Sequence, residues 1–169
     1  MIALHDILRA GTVKRFHIVN TTRVQTLAEH QWGVAILACE IASRMGWPDS
    51  DVARLALLSI VHDAGETRTG DVPTPTKTRL RDALGSAADD VLAQFDSVLE
   101  VPRPFKAVMK CADYLESMIF LQEHKVGRHA DVVMDDIMTH AMRYFDLVGE
   151  PGRIAMVVWS EIQNAIYEI

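Results

Sequence analysis

Two histidines and two aspartates in apolar segments form a candidate metal-binding set. His30 lies within "LAEHQWGVAILACEIASRMG", His62 and Asp63 follow "VARLALLSIV", and Asp113 lies within "RPFKAVMKCADYLESMIFLQEHKVG". Burying ionisable side chains in such segments costs free energy unless something neutralises them. Imidazole nitrogens combined with carboxylate oxygens suit Zn²⁺, Mn²⁺, Co²⁺ or Fe²⁺ better than Ca²⁺ or Mg²⁺. The same residue types also serve as hydrogen-bonded core histidines and helix-end caps, so spacing alone leaves both interpretations open.

A further carboxylate follows the second histidine in the segment "IVHDAGETRTGDVPTP". Glu66 comes four residues after His62, about one turn of a helix, so the two side chains can lie on the same side of a site. A metal ion that activates water needs a proton acceptor close by. Glu66 is therefore a candidate catalytic base.

The elements that must position these residues are predicted to be helices. Apolar residues recur at helical spacing almost throughout, and no alternating strand pattern of useful length appears. Long helices are predicted over residues 27–46, 48–65, 104–127, 131–149 and 152–169, with shorter, more polar helices within 78–100. One broad apolar face of the first is expected to carry Leu27, Trp32, Val34, Leu37, Ala38, Ile41 and Met45. The fold class is therefore all-α, with helices packed around a central pair.

Length and composition place limits on the class of protein. The chain has 169 residues, 49% of them hydrophobic, and lacks a linker-like run, so residues 1–169 are expected to form a single domain. Its two cysteines lie in apolar helical patterns, as expected of buried thiols in a reducing cytoplasm. We expect no signal peptide and no membrane span. A net charge of -6 argues against a nucleic-acid polymer as partner, so an anionic substrate requires locally concentrated cations.

The spacing of these residues resembles the H…HD…D signature of the HD-domain metal-dependent phosphohydrolases. "VKRFHIVNTTRVQTLAEH" and "HDAGETRTGDVPTPTK" are similar to one branch of that family, the bacterial 5'-deoxynucleotidases and phage dATP triphosphohydrolases. The resemblance covers roughly residues 3–125. It implies a compact HD-domain helical bundle with the metal site between central helices, and Zn, Co or Mn as the metal. The implied ligands are His30, His62, Asp63 and Asp113.

The resemblance also implies roles for residues that do not bind the metal. Glu66 positions or deprotonates the attacking water, and Asp71 assists at the sugar or at a second metal ion. Arg15 and Lys77 bind phosphate oxygens, for which a guanidinium fork and an ammonium are suited. The prolines of residues 73–75 are expected to hold Lys77 in a stiff loop.

Two apolar residues are candidates for contact with the base. Phe16, where tryptophan is common in the branch, alternates with Ile18 in "RFHIVN", a pattern that lays an apolar surface against a base. A purine would gain stacking, and Ile18 would crowd an exocyclic group at its edge. A purine deoxynucleotide is therefore the favoured substrate.

The catalytic residues do not decide which phosphate compound is cleaved. The short span from His62–Asp63 to Asp113, the total length and Ile18 resemble the phage triphosphohydrolases more closely. This resemblance implies a dATP triphosphohydrolase that releases deoxyadenosine and triphosphate, with additional Mg or Mn on the polyphosphate. A 5'-deoxynucleotidase acting on dNMP is the alternative, and a non-catalytic nucleotide-sensing module is a third hypothesis that Glu66 disfavours. The last predicted helix is apolar on more than one side, which favours a homo-oligomer. The expected location is the cytoplasm, the host's if the chain is phage-encoded.

Overall fold

The computed structural model describes residues 4–85, 87 and 101–166. Within these residues the chain forms eight α-helices and two short strands. The helices are α1 Leu4–Ile7, α2 Leu27–Arg44, α3 Asp49–Ile60, α4 Glu66–Thr69, α5 Thr74–Leu84, α6 Arg103–His124, α7 Gly127–Val148 and α8 Glu150–Ile166. The strands are β1 Lys14–Arg15 and β2 Gln25–Thr26. The all-α prediction is confirmed, while most of the predicted 78–100 region beyond α5 lies outside the described residues.

Helix α2 begins at a complete capping box. The Thr26 hydroxyl accepts from the Glu29 backbone N–H, and the Glu29 carboxylate accepts from the Thr26 backbone N–H. From there a buried stripe recurs at helical spacing along α2 and includes His30. The first histidine of the metal set is therefore fixed on the inner face of a well-anchored helix.

The prediction that Trp32 faces the core is wrong. Its side chain is 67% exposed, whereas Leu27 and Val34 on the same helix are fully buried. At roughly 100° per residue, Trp32 lies about 140° around the axis from Leu27, outside the buried stripe. Leu37 lies at the edge of this stripe and is half-buried.

Helix α3 is shorter than its apolar pattern predicts. It ends at Ile60 instead of continuing to Gly65, and it starts after Pro48 without a side-chain cap. Residues 61–65 form turns, closed by backbone bonds such as Ala64 N–H to the Val61 carbonyl. His62 and Asp63 therefore lie on a tight turn, which lets adjacent side chains approach one site in a way that a continuous helix would not.

Helices α2 and α6 form the centre of the bundle. Helix α6 packs on α2, α7 and α8, and α2 packs on α3 as well. The inner face of α6 carries fully buried Val108, Leu115 and Leu121. Asp113 and Glu116 lie one turn apart on the same helix. The helix ends at His124, and Gly127, expected to close it, instead begins α7. This arrangement places Asp113 opposite His30.

The two strands attach the N-terminal segment to the start of α2. They pair antiparallel, Lys14 with Thr26 and Arg15 with Gln25. Such two-residue strands are too short to give an alternating sequence pattern. The alternation expected over "RFHIVN" does not occur, because the chain turns at Phe16, whose φ is 51°, and the Val19 N–H donates to the Phe16 carbonyl.

Among the helices that the structure describes, none has both the length and the apolar character needed to cross a membrane.

Candidate active site

The four predicted metal ligands lie together between α2, the 61–65 turn and α6. His30 Nε2 is 3.3 Å from Asp113 Oδ1 and 3.9 Å from Asp63 Oδ2, and His62 Nε2 is 3.1 Å from Asp63 Oδ2. One donor atom each from His30, His62 and Asp113 fall within 4.8 Å of one another. A tetrahedral zinc ion with bonds of about 2.0–2.1 Å separates its donors by about 3.3 Å. The separations therefore fit a single zinc-sized ion.

Hydrogen bonds at the far side of each imidazole orient both histidines toward this point. His62 Nδ1 donates to the Ser59 carbonyl at 2.7 Å, and His30 Nδ1 contacts Glu116 Oε2 at 2.5 Å. An acceptor at Nδ1 places the proton there and leaves the Nε2 lone pair of a neutral ring for a metal. Both Nε2 atoms are buried and make no hydrogen bond in the structure. These unsatisfied nitrogens fit the predicted metal.

Neighbouring charges shift the pKa values of the side chains at the site. Burial alone would lower the pKa of His62, but the Asp63 carboxylate, with a smaller contribution from Asp113, raises it to about 9. Burial would raise the pKa of Asp113, yet Lys110 and His30 hold it well below its usual range. Asp63 and Asp113 thus stay ionised, and their negative charge favours a cation at this point.

Glu66 lies beside the donor set at the start of α4. Its side chain is almost completely buried, with Oε1 3.3 Å from Lys77 Nζ and Oε2 buried without a hydrogen-bond partner. Burial, followed by the negative charges of Asp63 and Asp71, raises the pKa of Glu66 to about 7. An unpartnered, buried carboxylate oxygen of this kind is available to a water molecule.

Arg15 reaches the site from β1. Its side chain is only 11% exposed, with Nη1 3.7 Å from Asp63 Oδ2 and Nη2 at 3.5 Å from the Ser117 hydroxyl. Burial opposes its charge, but Asp71, Asp113 and Asp63 more than compensate and raise its pKa. The guanidinium is therefore a fixed cation at the metal set and not a solvated surface residue.

Lys77 lies near the site, but not in a stiff loop as expected. Pro73 caps α5, Pro75 occupies its first turn, and the Lys77 backbone N–H donates to the Pro73 carbonyl. Proline is favoured at the start of a helix because its fixed φ matches and its missing N–H has no helical partner there. Lys77 is thus held by a helix. Asp71 lies in the segment before this helix, half-buried and close enough to influence the pKa of Arg15.

The two apolar candidates differ in their surroundings. Phe16 is half-buried and its ring stacks on Phe120, with centroids 5.5 Å apart and 7° between planes, while the Arg15 guanidinium lies 5.5 Å from its centroid. Ile18 is 54% exposed. One face of Phe16 is therefore covered by the protein, and Ile18 projects from the turn.

A cavity of about 300 Å³ lies beside the donor set, and two of its lining residues are lysines that the sequence did not single out. It is lined by His62, Lys106, Met109, Lys110, Asp113 and Tyr144. Lys110 Nζ lies 2.5 Å from Asp113 Oδ2. Its position one turn before Asp113 on an amphipathic helix is the signal that predicts this contact. Arg68, on α4, forms an ion pair with Asp6.

The family comparison agrees with this site. The model of the family described as "5'-deoxynucleotidase YfbR-like" matches residues 4–134, which contain every candidate ligand. The chain belongs to the 5'-deoxynucleotidase YfbR-like family. This confirms the predicted family and its small nucleotide-cleaving branch.

Two of the proteins that this chain is similar to are phage enzymes. A dATP triphosphohydrolase of Salmonella phage PMBT28 is 32% identical over 94% of this chain and 87% of its own length. A dATP triphosphohydrolase of Cyanophage S-2L is 32% identical over 82% of this chain and 81% of its own length. The solved structure of the Cyanophage S-2L HD phosphohydrolase DatZ, bound to dA and one catalytic Zn²⁺ ion, has a TM-score of 0.77 at 28% identity and covers 96% of both chains. This likeness extends over the whole HD-type bundle.

Proposed function

We propose that this protein is a metal-dependent dATP triphosphohydrolase, which hydrolyses dATP to deoxyadenosine and triphosphate. The observation that carries the proposal is the His–Asp donor set with two unpartnered Nε2 atoms beside the buried carboxylate of Glu66. Similarity to phage dATP triphosphohydrolases over nearly the full length supports the choice of substrate.

The proposed metal is zinc, held by His30, His62, Asp63 and Asp113. Zinc supplies a Lewis acid that polarises a phosphoryl oxygen and lowers the pKa of water. Cobalt and manganese suit the same mixed nitrogen and oxygen donors, and additional Mg²⁺ or Mn²⁺ is proposed to accompany the polyphosphate. The DatZ structure with its single catalytic Zn²⁺ supports zinc first.

Glu66 is proposed as the proton acceptor. Water attacks the α-phosphorus, the new P–O bond forms, and the bond to the 5' oxygen of deoxyadenosine breaks. Glu66 takes the proton from the water through its unpartnered Oε2. The departing 5' oxygen takes a proton from solvent, and Glu66 returns its own proton to solvent after the cleavage. Lys77 at Oε1 fixes the orientation of the carboxylate. Asp71 is proposed to assist at the sugar or at a second metal ion.

The cations around the site are proposed to bind the polyphosphate. Arg15 lies at Asp63 and Lys77 at Glu66, while Lys106 and Lys110 line the adjoining cavity. Arginine binds phosphate oxygens as a fork and lysine as a point charge. We propose that Arg15 and Lys77 hold the α-phosphate and that the cavity receives the rest of the chain.

The base is proposed to be a purine held against Phe16 and Ile18. Phe16 is held by its stack on Phe120 and by the Arg15 guanidinium, so its ring is a fixed contact for a base. Ile18, exposed on the turn, is placed to contact the edge of a base. Adenine would be favoured over guanine if Ile18 crowds the exocyclic group.

A 5'-deoxynucleotidase activity is the second candidate, and the description of the family supports it. It would use the same donor set and Glu66 but cleave dNMP to deoxynucleoside and phosphate. A nucleotide-sensing module without turnover is disfavoured, because a binder has no use for a buried, unpartnered carboxylate at the metal set.

The test is product analysis with zinc-loaded protein and a panel of dNTPs and dNMPs. Liquid chromatography would identify the nucleoside and ³¹P NMR the phosphate compound. We expect dATP to give deoxyadenosine and triphosphate, and in H₂¹⁸O the label should enter triphosphate and not deoxyadenosine. Cleavage of dNMP alone would establish the nucleotidase instead, and binding without turnover would leave only the sensor.

Assembly and location are also proposals. Helix α8 exposes Met156 and Val157, and we propose that a second copy covers such apolar side chains in a homo-oligomer. Light scattering after size-exclusion chromatography would give the mass, and a monomer at micromolar concentration would contradict it. We propose a cytoplasmic location, the host's if a phage encodes the chain.

A further inference from the structure

Glu116 is a buried carboxylate directly behind the metal set. It is 9% exposed and lies on α6 one turn after Asp113. Its Oε2 contacts His30 Nδ1 at 2.5 Å, and its Oε1 accepts from Gln25 Nε2 at 2.5 Å. Burying a carboxylate is costly unless its oxygens are hydrogen-bonded, and here each oxygen has one partner.

The backbone of α2 approaches the Glu116 side chain closely at Gly33. A Cβ on Gly33, one turn after His30 on α2, would lie 2.7 Å from the Glu116 Cγ. Glycine at this position therefore allows the α6 side chain to cross over α2 and reach the imidazole. Glycine destabilises a helix interior. Its presence at position 33 is explained by the space that the Glu116 side chain needs.

The third member of the group comes from the short β-ladder. Gln25 is 2% exposed and pairs with Arg15 across the two strands. The same pair of strands thus places Arg15 beside Asp63 and Gln25 beside Glu116. The Gln25 Oε1 atom is buried without a hydrogen-bond partner.

We propose that Glu116 is a positioning residue for the metal site, held in place by Gln25 and by the space at Gly33. By accepting the Nδ1 proton it fixes the tautomer and ring plane of His30, so the Nε2 lone pair points at His62, Asp63 and Asp113. Its negative charge also strengthens His30 as a donor to a cation. This inference rests on the metal of the proposed function, but not on the identity of the nucleotide.

The test is metal affinity in the variant Glu116→Gln. The amide has nearly the same volume and can still accept from His30, while a rotated Gln25 amide can accept from its new N–H₂ group. The substitution therefore removes the charge and leaves the packing. Mutation of such an outer partner typically lowers metal affinity by about 10–100-fold, and here the fall is expected from the lost negative charge behind His30. Zinc affinity is measured by competition with a chelating indicator, alongside the visible absorption of the Co²⁺-loaded protein.

Two further variants separate positioning from a general role in folding. Gly33→Ala displaces the carboxylate without changing its charge, and we expect zinc affinity to fall and the Co²⁺ bands to shift as in Glu116→Gln. Glu123→Gln is the matched control, since it makes the same change on the same helix at an exposed side chain. It should bind zinc as the wild type does. If Glu116→Gln fails to fold, the zinc affinity and Co²⁺ bands of the Gly33→Ala protein provide the test.

The outcomes distinguish this inference from the proposed function. Wild-type zinc affinity and unchanged Co²⁺ bands in folded Glu116→Gln and Gly33→Ala would overturn the positioning role, even if their stability fell. A wild-type protein that binds no zinc or cobalt would overturn both proposals. A wild type that binds zinc but leaves dATP intact, with both variants weakened in metal binding, would overturn only the proposed function.

Discussion

The variant Glu66→Gln gives the sharpest test of the proposed chemistry. It keeps the shape of the side chain and an oxygen for the Lys77 ammonium, 3.3 Å away, but cannot accept a proton. A general base contributes about 10²–10⁴ to the rate, which corresponds to about 2.7–5.4 kcal/mol of activation free energy. We expect kcat for dATP to fall by that factor. Zinc content should remain that of the wild type, because Glu66 is not among the proposed ligands.

The assay is the initial rate of deoxyadenosine release at saturating dATP, with zinc measured by mass spectrometry on the same samples. Glu123→Gln, an exposed glutamate on α6, serves as the surface control and should retain the full rate. A Glu66→Gln protein with full zinc and a rate within threefold of wild type would refute the assignment of Glu66 as proton acceptor. Parallel loss of zinc and rate would instead make it a ligand.

Four other changes follow from the same geometry. Asp63→Ala should abolish turnover and lower zinc content together, and turnover by metal-free protein would contradict the mechanism. Arg15→Lys keeps the charge but loses the fork, so KM for dATP should rise while zinc content stays constant; zinc loss of similar size would make Arg15 structural. Ile18→Ala should relax the preference for dATP over dGTP by up to about 1–3 kcal/mol in kcat/KM, and an unchanged ratio would assign specificity elsewhere. Leu115→Ala removes most of a fully buried side chain and should lower the free energy of unfolding by about 2–5 kcal/mol in urea titrations. Leu147→Ala is the exposed control and should change the free energy of unfolding by less than about 0.5 kcal/mol.

The helices were the most predictable part of the fold, and their ends the least. The apolar period predicts α2 almost to the residue, because its buried stripe and capping box agree. It fails at α3, where apolar residues continue to Val61 but the backbone turns after Ile60. An apolar run reports burial and not dihedral angles, so it cannot show where a helix gives way to a turn that is equally buried.

The supporting residues of the site could not be predicted in the same way as its donors. A histidine or aspartate in an apolar helix is conspicuous because its burial demands a partner. Glu116 occupies a helix with several other charged residues, and only its contact with His30 across Gly33 distinguishes it. Similarly, a turn at Phe16 replaces the expected alternation and lays the Phe16 ring on Phe120 of α6, which is remote in sequence.

The sequence by itself determined the chemical inventory: an all-α bundle, a mixed imidazole and carboxylate set, a nearby Glu66 and enough basic residues for an anion. Residue types and helical periods are local properties, so they are readable along one chain. The tertiary structure alone decided that His30 faces Asp113 at 3.3 Å, that Glu116 contacts the far side of the His30 ring, and that Lys110 lies at the site. Distances between helices depend on how their side chains pack against each other. The pairing of residues from different helices leaves no periodic pattern along the chain, so the sequence does not show it.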